Sequence, residues 1–481
     1  MIFSSLPVLL FIGEMLLKVL MISIVLLQRK KTPSAKLAWI MLIIVIPFVG
    51  TLLYLFVGTT RLGSLRRRRH REILKLIPQS IFAHISDRTA SSERVQQRYH
   101  SISYIAETVG ASQVIGGNQA TLFGDSEKMI DSLANDIDNA KDHCHILSYI
   151  MLDDAAGSRI SQALMQAADR GIVCRLLLDD MGSRVFLKSQ LCQELKARGV
   201  RVVAALPASL IRAAFVRLDL RNHRKIAVID NSIGYVGSQN IADSSFAPKP
   251  KYAPWIDASV RMTGPAVREL QAIFVQDWFM DSDENLGALL CEPLPATESG
   301  FSVQLMATGP NSNNQALGQM LQTAFFSASE ELIITTPYFS PDTATESALL
   351  ITAKRGVQTH LVIPARNDSR LVAVATRSRF RRLLEAGVHI HEFHGGMLHS
   401  KTMTIDRELA LIGSANLDRR SLELNFEISL LIYDTDFASE LRFLQTSYLE
   451  QSVQVDPNTP SQWSVQQRLW QNAVGLIAPI L

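Results

Sequence analysis

Two long apolar stretches open the chain, ahead of a longer region in which strand-like and helix-like patterns alternate. The first stretch covers residues 2–27 and is interrupted by Glu14 and Lys18, and the second covers residues 37–57. Because about 20 apolar residues in a helix cross a bilayer, both stretches are predicted to anchor the chain in a membrane. No basic segment precedes the first stretch, so we interpret it as an anchor and not as a removed signal peptide. A buried helical hairpin of a soluble domain is the alternative.

Basic residues cluster directly after the second stretch, with four consecutive arginines at 66–69. The positive-inside rule assigns this side of the membrane, and with it the globular part, to the cytoplasm. A smaller basic loop at 29–36 lies between the stretches, and two full crossings would put it on the opposite side. The path of the stretches through the bilayer therefore stays open. The arginines also suit anionic lipid headgroups, with a pure topology signal as the alternative.

From about residue 101 the pattern is that of a globular α/β protein, and it occurs twice. A strand, a helix and a strand are predicted at 145–152, 158–170 and 172–179, and again at 332–339, 344–355 and 357–364. Such alternation predicts an α/β sandwich in each copy. The predicted organisation is a membrane anchor at 1–60, a basic juxtamembrane linker at 61–100, and two catalytic halves at 101–295 and 296–481, the second with a C-terminal tail.

One motif occurs once in each half. It reads His-x-Lys-x4-Asp on a short apolar run, followed by Gly-Ser-x-Asn, and is carried by His223, Lys225 and Asp230 and by His399, Lys401 and Asp406. Alternation along a strand is predicted to place the His and Lys of each copy on one face of a sheet. A histidine beside a fixed ammonium suits a site that handles a phosphate ester. Ordinary strands with chance polar residues are the alternative, and the shared spacing of the two copies argues against it.

Charge and metal-ligand patterns narrow the possible chemistry. The net charge is only +3, so the molecule as a whole is not a binder of polyanions, and a nuclease is disfavoured because no basic groove rich in aromatic residues is evident. The four cysteines show no zinc-site spacing and no disulfide framework. His389, His391 and His394 form a small cluster near His399, which makes a metal site an alternative, but the first half has no counterpart.

The duplicated motif resembles that of the phospholipase D superfamily, whose members place two copies across a pseudo-twofold axis to build one site. Further segments resemble those of the bacterial cardiolipin synthases within this superfamily, namely residues 33–39, 255–257, 336–339 and 413–427. The resemblance covers nearly the whole chain. It departs slightly at Gln239, where the family commonly has Met.

The resemblance implies an α/β fold of two tandem phospholipase D-like α/β/α sandwich domains related by pseudo-twofold symmetry, preceded by N-terminal transmembrane helices. It implies an enzyme that converts two phosphatidylglycerol molecules into cardiolipin and glycerol through a covalent phosphohistidine, without a metal, nucleotide or other cofactor. The expected partners are phosphatidylglycerol, other anionic lipids and the membrane, and not nucleic acid. The expected location is the bacterial cytoplasmic (inner) membrane, multi-pass, with the catalytic domain facing the cytoplasm. The sequence does not decide the oligomeric state.

The resemblance also implies the roles of the motif residues. His223 is expected to attack phosphorus and His399 to act as acid and base, by family analogy. Lys225 and Lys401 are expected to bind the non-bridging phosphate oxygens.

The remaining site residues are expected to support these four. They comprise neutral donors at Asn240 and Asn416, assisting hydroxyls at Ser238 and Ser414, and carboxylates that orient the imidazoles at Asp257 and Glu427. Asp230 and Asp406, at the strand ends, are expected to hold the motifs in shape.

Two other kinds of function stay open. A membrane phospholipase D or another phosphatidyltransferase would use the same motifs with water or a different alcohol as acceptor. A non-catalytic scaffold that binds anionic lipid through residues 66–69 is the alternative of a different class, and the intact motifs argue against it. Residues 208–221 and 469–481 are candidates for a wall that faces the bilayer and excludes water, with an ordinary covering element as the alternative for the first.

Overall fold

A computed structural model describes the chain at residues 6–28, 33–58, 63–76, 95–207, 217, 219–246, 248–291, 300–311 and 315–477. Residues 29–32 of the basic loop at 29–36, most of the segment at 208–221 and the end of the tail from 478 lie outside the described residues. The chain forms two compact units, Met1–Leu65 with Ala208–Leu220, and Arg66–Pro207 with Arg221–Leu481.

The apolar unit contains helices α1 (Leu6–Leu26), α2 (Pro33–Val45) and α3 (Pro47–Val57). Of the described helices, only α1 is long and apolar enough to cross a bilayer, over Val8–Leu26. The second predicted anchor is divided because Pro47 lacks an N–H and begins a new helix. Each of its two pieces is too short to span, so two full crossings are not supported.

The larger unit contains the remaining described elements. Its helices are α4 (Ser64–Leu76), α5 (His100–Gly110), α6 (Ser126–Asp138), α7 (Ala155–Asp169), α8 (Arg184–Leu187), α9 (Gln190–Ala197), α10 (Val267–Ser282), α11 (Ala316–Ser327), α12 (Thr343–Lys354), α13 (Arg370–Arg377), α14 (Phe380–Glu385), α15 (Arg419–Glu423), α16 (Thr435–Glu450) and α17 (Val465–Ile477). Its strands are β1 (Ile115–Phe123), β2 (His143–Ser148), β3 (Val173–Asp179), β4 (Arg201–Ala205), β5 (Ile226–Ile229), β6 (Ile233–Gly237), β7 (Trp255–Ile256), β8 (Ser259–Thr263), β9 (Phe301–Thr308), β10 (Glu331–Thr335), β11 (Phe339–Ser340), β12 (Gln358–Pro364), β13 (His389–Phe393), β14 (Met397–Leu398), β15 (Thr402–Ile405), β16 (Leu409–Gly413), β17 (Leu417–Asp418), β18 (Glu427–Tyr433) and β19 (Ser452–Gln454).

The predicted duplication is visible in a single sheet. Its order is β19-β13-β12-β10-β15-β16-β18-β9-β1-β8-β6-β5-β2-β3-β4. The first half contributes β1-β8-β6-β5-β2-β3-β4, and the second repeats this order outward from β9 as β9-β18-β16-β15-β10-β12-β13. Strands β1 and β9 pair antiparallel at the centre, so the two α/β/α halves share one continuous sheet around a pseudo-twofold axis.

Helices cover both faces of this sheet. On one face α10 and α16 pack over a core common to both halves, which includes Val228, Trp278, Ile412 and Leu441. On the other face α6, α7 and α9 cover the first half, and α5, α11 and α12 cover the second. Strands β5 and β16 are buried along their whole length and are continuous apolar runs, as expected for strands covered on both sides. The result is a three-layered α/β/α body.

The predicted elements of the repeat agree with the structure except at the strand ends nearest the site. The strand predicted at 145–152 ends at Ser148, and the one predicted at 332–339 ends at Thr335. In the second half, Pro337 follows closely and cannot donate to a strand ladder. In both halves the main chain leaves the sheet where these strands end. The site lies at these strand ends.

The arginine-rich helix α4 is partly an internal element of the larger unit. Arg66 forms two hydrogen bonds with the Asp281 carboxylate, at 2.6 and 2.9 Å, and both side chains are largely buried. Arg69 lies 3.0 Å from Asp283 Oδ2. Arg68 is exposed and lies 3.5 Å from Glu72 of its own helix. Arg66 and Arg69 are therefore committed to ion pairs inside the larger unit.

Candidate active site

The His and Lys of each motif lie immediately before a strand and not within it, which corrects the prediction. Strand β5 begins one residue after Lys225, and β15 begins one residue after Lys401. The reason is that the histidine segments pair with the opposite half: the His223 N–H donates to Phe426 O at 2.9 Å, and the His399 N–H donates to Ile256 O at 2.8 Å. Main-chain pairing thus brings the two motifs to the junction of the halves.

The lysines nevertheless lie beside their histidines. Lys225 Nζ donates to His223 O at 2.7 Å, and Lys401 Nζ donates to His399 O. All four side chains are nearly completely buried. Each lysine thus folds back onto the main chain of its own motif, where its charge lowers the pKa of the neighbouring imidazole.

Each imidazole is bound by a carboxylate from the opposite half. His223 Nδ1 lies 3.0 Å from Glu427 Oε2 and 3.0 Å from Ser414 O, whereas His399 Nδ1 lies 2.7 Å from Asp257 Oδ1. Since Nδ1 donates to these acceptors, Nε2 of each ring is left with its lone pair. These contacts across the two halves join the half-sites into one centre.

The two serines of the Gly-Ser-x-Asn segments hold these carboxylates. The Ser238 hydroxyl donates to Asp257 Oδ1 at 2.6 Å, and the Ser414 hydroxyl donates to Glu427 Oε2. Ser421 also donates to Glu427, at 2.8 Å. The serines thus contact the histidine-orienting groups, a position from which they fix ring orientation.

Burial and charge together set the protonation of the imidazoles. Burial lowers the pKa of His223 to about 4; the nearby Glu427 carboxylate opposes this, and the ammonium of Lys225 adds to it. Burial likewise lowers the pKa of His399, with Lys401 acting in the same direction and Asp257 opposing. Both rings are therefore neutral at pH 7 in the free site.

The carboxylates remain ionised despite their burial. Burial alone would raise the pKa of Asp257, but His399 and Lys401 bring that pKa below its ordinary value. Burial would also raise the pKa of Glu427, and His223 and Lys225 more than offset it. Each carboxylate can therefore stabilise an imidazolium formed during a reaction.

The lysines show that positive charge is concentrated in the centre. Burial, with repulsion from Lys401 next, lowers the pKa of Lys225 to about 7, and burial lowers the pKa of Lys401 to about 8. Lys401 also lowers the pKa of His223, and Lys225 that of His399, so charges from both halves act on each ring. A phosphate anion in this place would relieve the repulsion and favour both ammonium groups.

The two motif aspartates lie at turns and bind main-chain amides. Asp230 accepts the N–H groups of residues 141, 142 and 143 at 2.8, 2.8 and 2.9 Å. Asp406 accepts those of residues 329, 330 and 331, with distances from 2.8 to 3.3 Å. Both aspartates have a φ of 51°. Their position ties each motif to the edge of the neighbouring strand.

The two motif asparagines are held within their own halves. Asn240 Oδ1 accepts the Ile150 N–H at 3.1 Å, and the Asn416 N–H donates to the Ser421 hydroxyl at 3.1 Å. With its oxygen occupied, the Asn240 amide has its NH2 group left as a donor.

Aromatic residues next to the imidazoles are the main feature that sequence reasoning missed. The Tyr149 ring lies 4.8 Å from the His223 ring and 5.3 Å from Lys225 Nζ, and the Trp255 ring lies 4.7 Å from the His399 ring. These rings form apolar walls for the histidines. Tyr149 follows the end of β2, so an aromatic residue directly after a strand was the available signal.

The histidine cluster has a different place. His391 Nε2 lies 3.0 Å from His360 Nδ1, and His389 Nδ1 lies 3.0 Å from Gln454 Nε2, all on strands at the sheet edge. Among the described residues, no group of three or more His, Cys, Asp or Glu side chains is arranged to hold a metal ion. The alternative of a metal site there has no support.

A shared sheet of two repeats, with paired His-x-Lys motifs meeting at its centre, defines a protein of the phospholipase D class. The family profile described as "Cardiolipin synthase, PLD-like domain" matches residues 133–278 and 321–444, and a profile described as a phospholipase D-nuclease N-terminal segment matches residues 17–58. The chain belongs to the cardiolipin synthase family of phospholipase D-like enzymes.

Individual relatives agree with this assignment. Cardiolipin synthase A of Edwardsiella ictaluri is 36% identical over 94% of this chain and 92% of its own length, and that of Salmonella arizonae is 35% identical over 95% of each. The crystal structure of a phosphatidylserine synthase from Haemophilus influenzae superposes with a TM-score of 0.60 at 15% identity, covering 79% of this chain and all of the other. That likeness shows the fold alone.

Proposed function

We propose that this protein transfers a phosphatidyl group from one phosphatidylglycerol molecule to a hydroxyl of a second, which gives cardiolipin and glycerol. The observation that carries the proposal is the crossed pairing of each imidazole with a carboxylate of the other half, beside two buried lysines. Family membership supports the substrate class and the reaction type. The exchange replaces one phosphodiester by another, so it needs little driving force and is reversible.

In the first step, His223 is the nucleophile. Its Nδ1–H donates to Glu427 and to Ser414 O, so Nε2 is free to attack phosphorus. The P–Nε2 bond forms as the bond to the glycerol oxygen breaks, and protonated His399 transfers its Nε2 proton to that oxygen. The negative charge of the bound phosphodiester favours protonation of His399, whose imidazolium Asp257 stabilises.

In the second step, His399 acts as the base, and the phosphate is transferred away from His223. Glycerol leaves, and the hydroxyl of a second phosphatidylglycerol takes its place. His399, now neutral, removes the proton from this hydroxyl as the oxygen attacks phosphorus, and the P–Nε2 bond breaks. His223 returns to its neutral form and cardiolipin is released.

The lysines supply the positive charge that the phosphorane-like transition state requires. In each step negative charge accumulates on the non-bridging oxygens, where Lys225 and Lys401 are placed to bind them. Two ammonium groups and a protonated imidazole fill the role that a divalent cation has in other phosphoryl-transfer sites. We therefore expect turnover to be unaffected by chelators.

We further propose that the protein lies in the bacterial cytoplasmic membrane with its catalytic body in the cytoplasm. A single crossing by α1 would leave the basic loop at 29–36 and the arginines at 66–69 on the same side, as the positive-inside rule favours. Helices α2 and α3 would then enter the bilayer from that side without crossing it. Cysteine labelling at both basic segments in intact cells tests this: labelling of either one from outside would contradict it.

Product analysis of the full-length protein with labelled phosphatidylglycerol tests the proposed function. Cardiolipin and free glycerol in equal amounts are expected. Phosphatidic acid as the main product would instead identify a phospholipase D, and labelled lipid returned unchanged would indicate a scaffold. His223→Ala and His399→Ala are each expected to abolish synthesis while the protein still inserts in membranes.

A further inference from the structure

The C-terminal helix α17 turns apolar side chains away from the body. Val465, Leu469 and Trp470 are 62%, 65% and 58% exposed. Val465 and Leu469, four residues apart, share one face of the helix. Val474 is buried against Ala375 of α13 on the other side of the helix, and Trp470, four residues before Val474, lies at the border of that packed side. A surface helix ordinarily buries its apolar face, so α17 presents a face that the rest of the described chain does not cover.

Positive charge lies beside this apolar face. Arg370 is exposed at the start of α13, Arg366 is exposed four residues before it, and Arg468 is exposed on α17 itself. Arg377, by contrast, is held by Glu392 at 3.1 Å. Exposed apolar side chains that include a tryptophan, together with exposed arginines on the same two packed elements, are the composition of helices that lie in the interface of anionic membranes.

The same surface is connected to the candidate active site. Asp368, two residues before α13, accepts a hydrogen bond from Tyr338 at 2.7 Å and an ion pair from Lys249 at 2.6 Å. Tyr338 packs in the same apolar cluster as Trp255, whose ring contacts His399. The start of α13 is thus joined through Asp368 and Tyr338 to the acid/base side of the centre.

We propose that α13 and α17 form a membrane-docking surface that seats the catalytic body on an anionic phospholipid bilayer, in addition to the N-terminal helices. Leu469 and Trp470 enter the interface, and the arginines meet lipid phosphates. A phosphatidylglycerol headgroup then reaches the site while its acyl chains stay in the bilayer. The docking itself does not depend on the proposed chemistry; only its effect on turnover rests on the proposed function.

Spin-label accessibility in the reconstituted full-length protein tests the docking without any turnover. Cys291→Ser removes the exposed cysteine, the other three being buried, and Leu469→Cys then carries the label. In vesicles of phosphatidylglycerol and phosphatidylcholine, the label should collide more with oxygen than with a water-soluble nickel chelate. A label at Gln193→Cys, exposed on α9, should show the reverse order.

Other results of this experiment would overturn the proposal. A label at position 469 that meets the nickel chelate as freely as the one at 193 would show that the helix lies in water. Low accessibility to both reagents, retained in detergent, would show that a second copy of the chain covers the face. If the label at position 469 inserted equally well into vesicles of phosphatidylcholine alone, the arginines would have no role in docking.

A kinetic experiment links the surface to substrate capture. The double variant Leu469→Gln with Trp470→Gln should raise the phosphatidylglycerol surface fraction needed for half-maximal rate about threefold to tenfold, because apolar area no longer enters the interface. Its rate on a water-soluble short-chain substrate should be unchanged. Phe443→Gln, which removes an exposed apolar residue of α16, is the matched control. Equal behaviour of the double variant and this control would refute the proposal.

Discussion

The low pKa values of the paired lysines predict a steep loss of activity in alkaline solution. With a pKa of about 7 for Lys225 and about 8 for Lys401, the free enzyme loses the charges that bind phosphate as the pH rises through this range. Both ammonium groups are present in roughly half of the molecules at pH 7 and in about one in a thousand at pH 9. Because kcat/KM reports the free enzyme, it should fall by about two to three orders of magnitude between these values.

The assay is initial-rate cardiolipin formation in mixed micelles of a neutral detergent with dilute phosphatidylglycerol, where surface charge does not shift the local pH. The Lys401→Arg variant keeps this charge over the whole pH range. The decrease in its kcat/KM should therefore be about tenfold smaller, because only Lys225 loses its charge. Lys354→Arg, a substitution on the exposed surface, should leave the profile unchanged. A kcat/KM that is constant within about twofold from pH 7 to 9 would refute the reasoning, because lysines of ordinary pKa remain charged there.

Substitutions at three further contacts test what each contributes to stability or to catalysis. Asp406→Ala should lower the free energy of unfolding by about 2–4 kcal/mol, seen as a lower thermal midpoint, because buried amides lose their acceptor. Asp257→Asn should slow cardiolipin synthesis by about 10²–10⁴-fold through His399, yet spare phosphoenzyme formation from a p-nitrophenyl ester, whose leaving group needs no acid. Arg66→Ala should lower the thermal midpoint as well, by leaving the buried Asp281 carboxylate unpaired.

Matched variants separate these effects from general damage. Asp436→Ala, at an exposed helix start, should leave the midpoint of unfolding in place, and so should Arg68→Ala. If the Asp257 variant lost the activated ester reaction as completely as synthesis, the assignment of His399 as the acid would be wrong. A thermal midpoint that is unchanged in the Asp406 or Arg66 variant would show that those contacts do not stabilise the fold.

The duplication made most of the fold predictable from the sequence. The two copies of the motif, with matching strand and helix patterns, indicated two α/β halves that meet at one centre. The apolar runs after Lys225 and Lys401 gave strands β5 and β15. The repeat did not predict that the halves share one sheet. That arrangement depends on the pairing of β1 with β9, which are segments outside the motifs.

The sequence indicated which residues to expect in the site, but it did not indicate which carboxylate contacts which histidine. Asp257 and Glu427 were expected to orient the histidines, but spacing along the chain does not say which carboxylate reaches which ring. The contacts join residues 204 and 142 positions apart, each across the two halves. Likewise, hydropathy treated residues 37–57 as one span, whereas the restricted backbone of Pro47 starts a separate helix.

The central claim is that the two halves form one phosphatidyl-transfer centre in which His223 carries the lipid phosphate. Rapid quenching of the full-length enzyme with phosphatidylglycerol labelled at phosphorus, followed by peptide mapping under alkaline conditions, tests it directly. We predict an acid-labile label on the peptide that contains His223, formed fast enough to account for turnover and absent from His223→Ala. A label on His399 instead, or synthesis at full rate without any labelled histidine, would contradict the account.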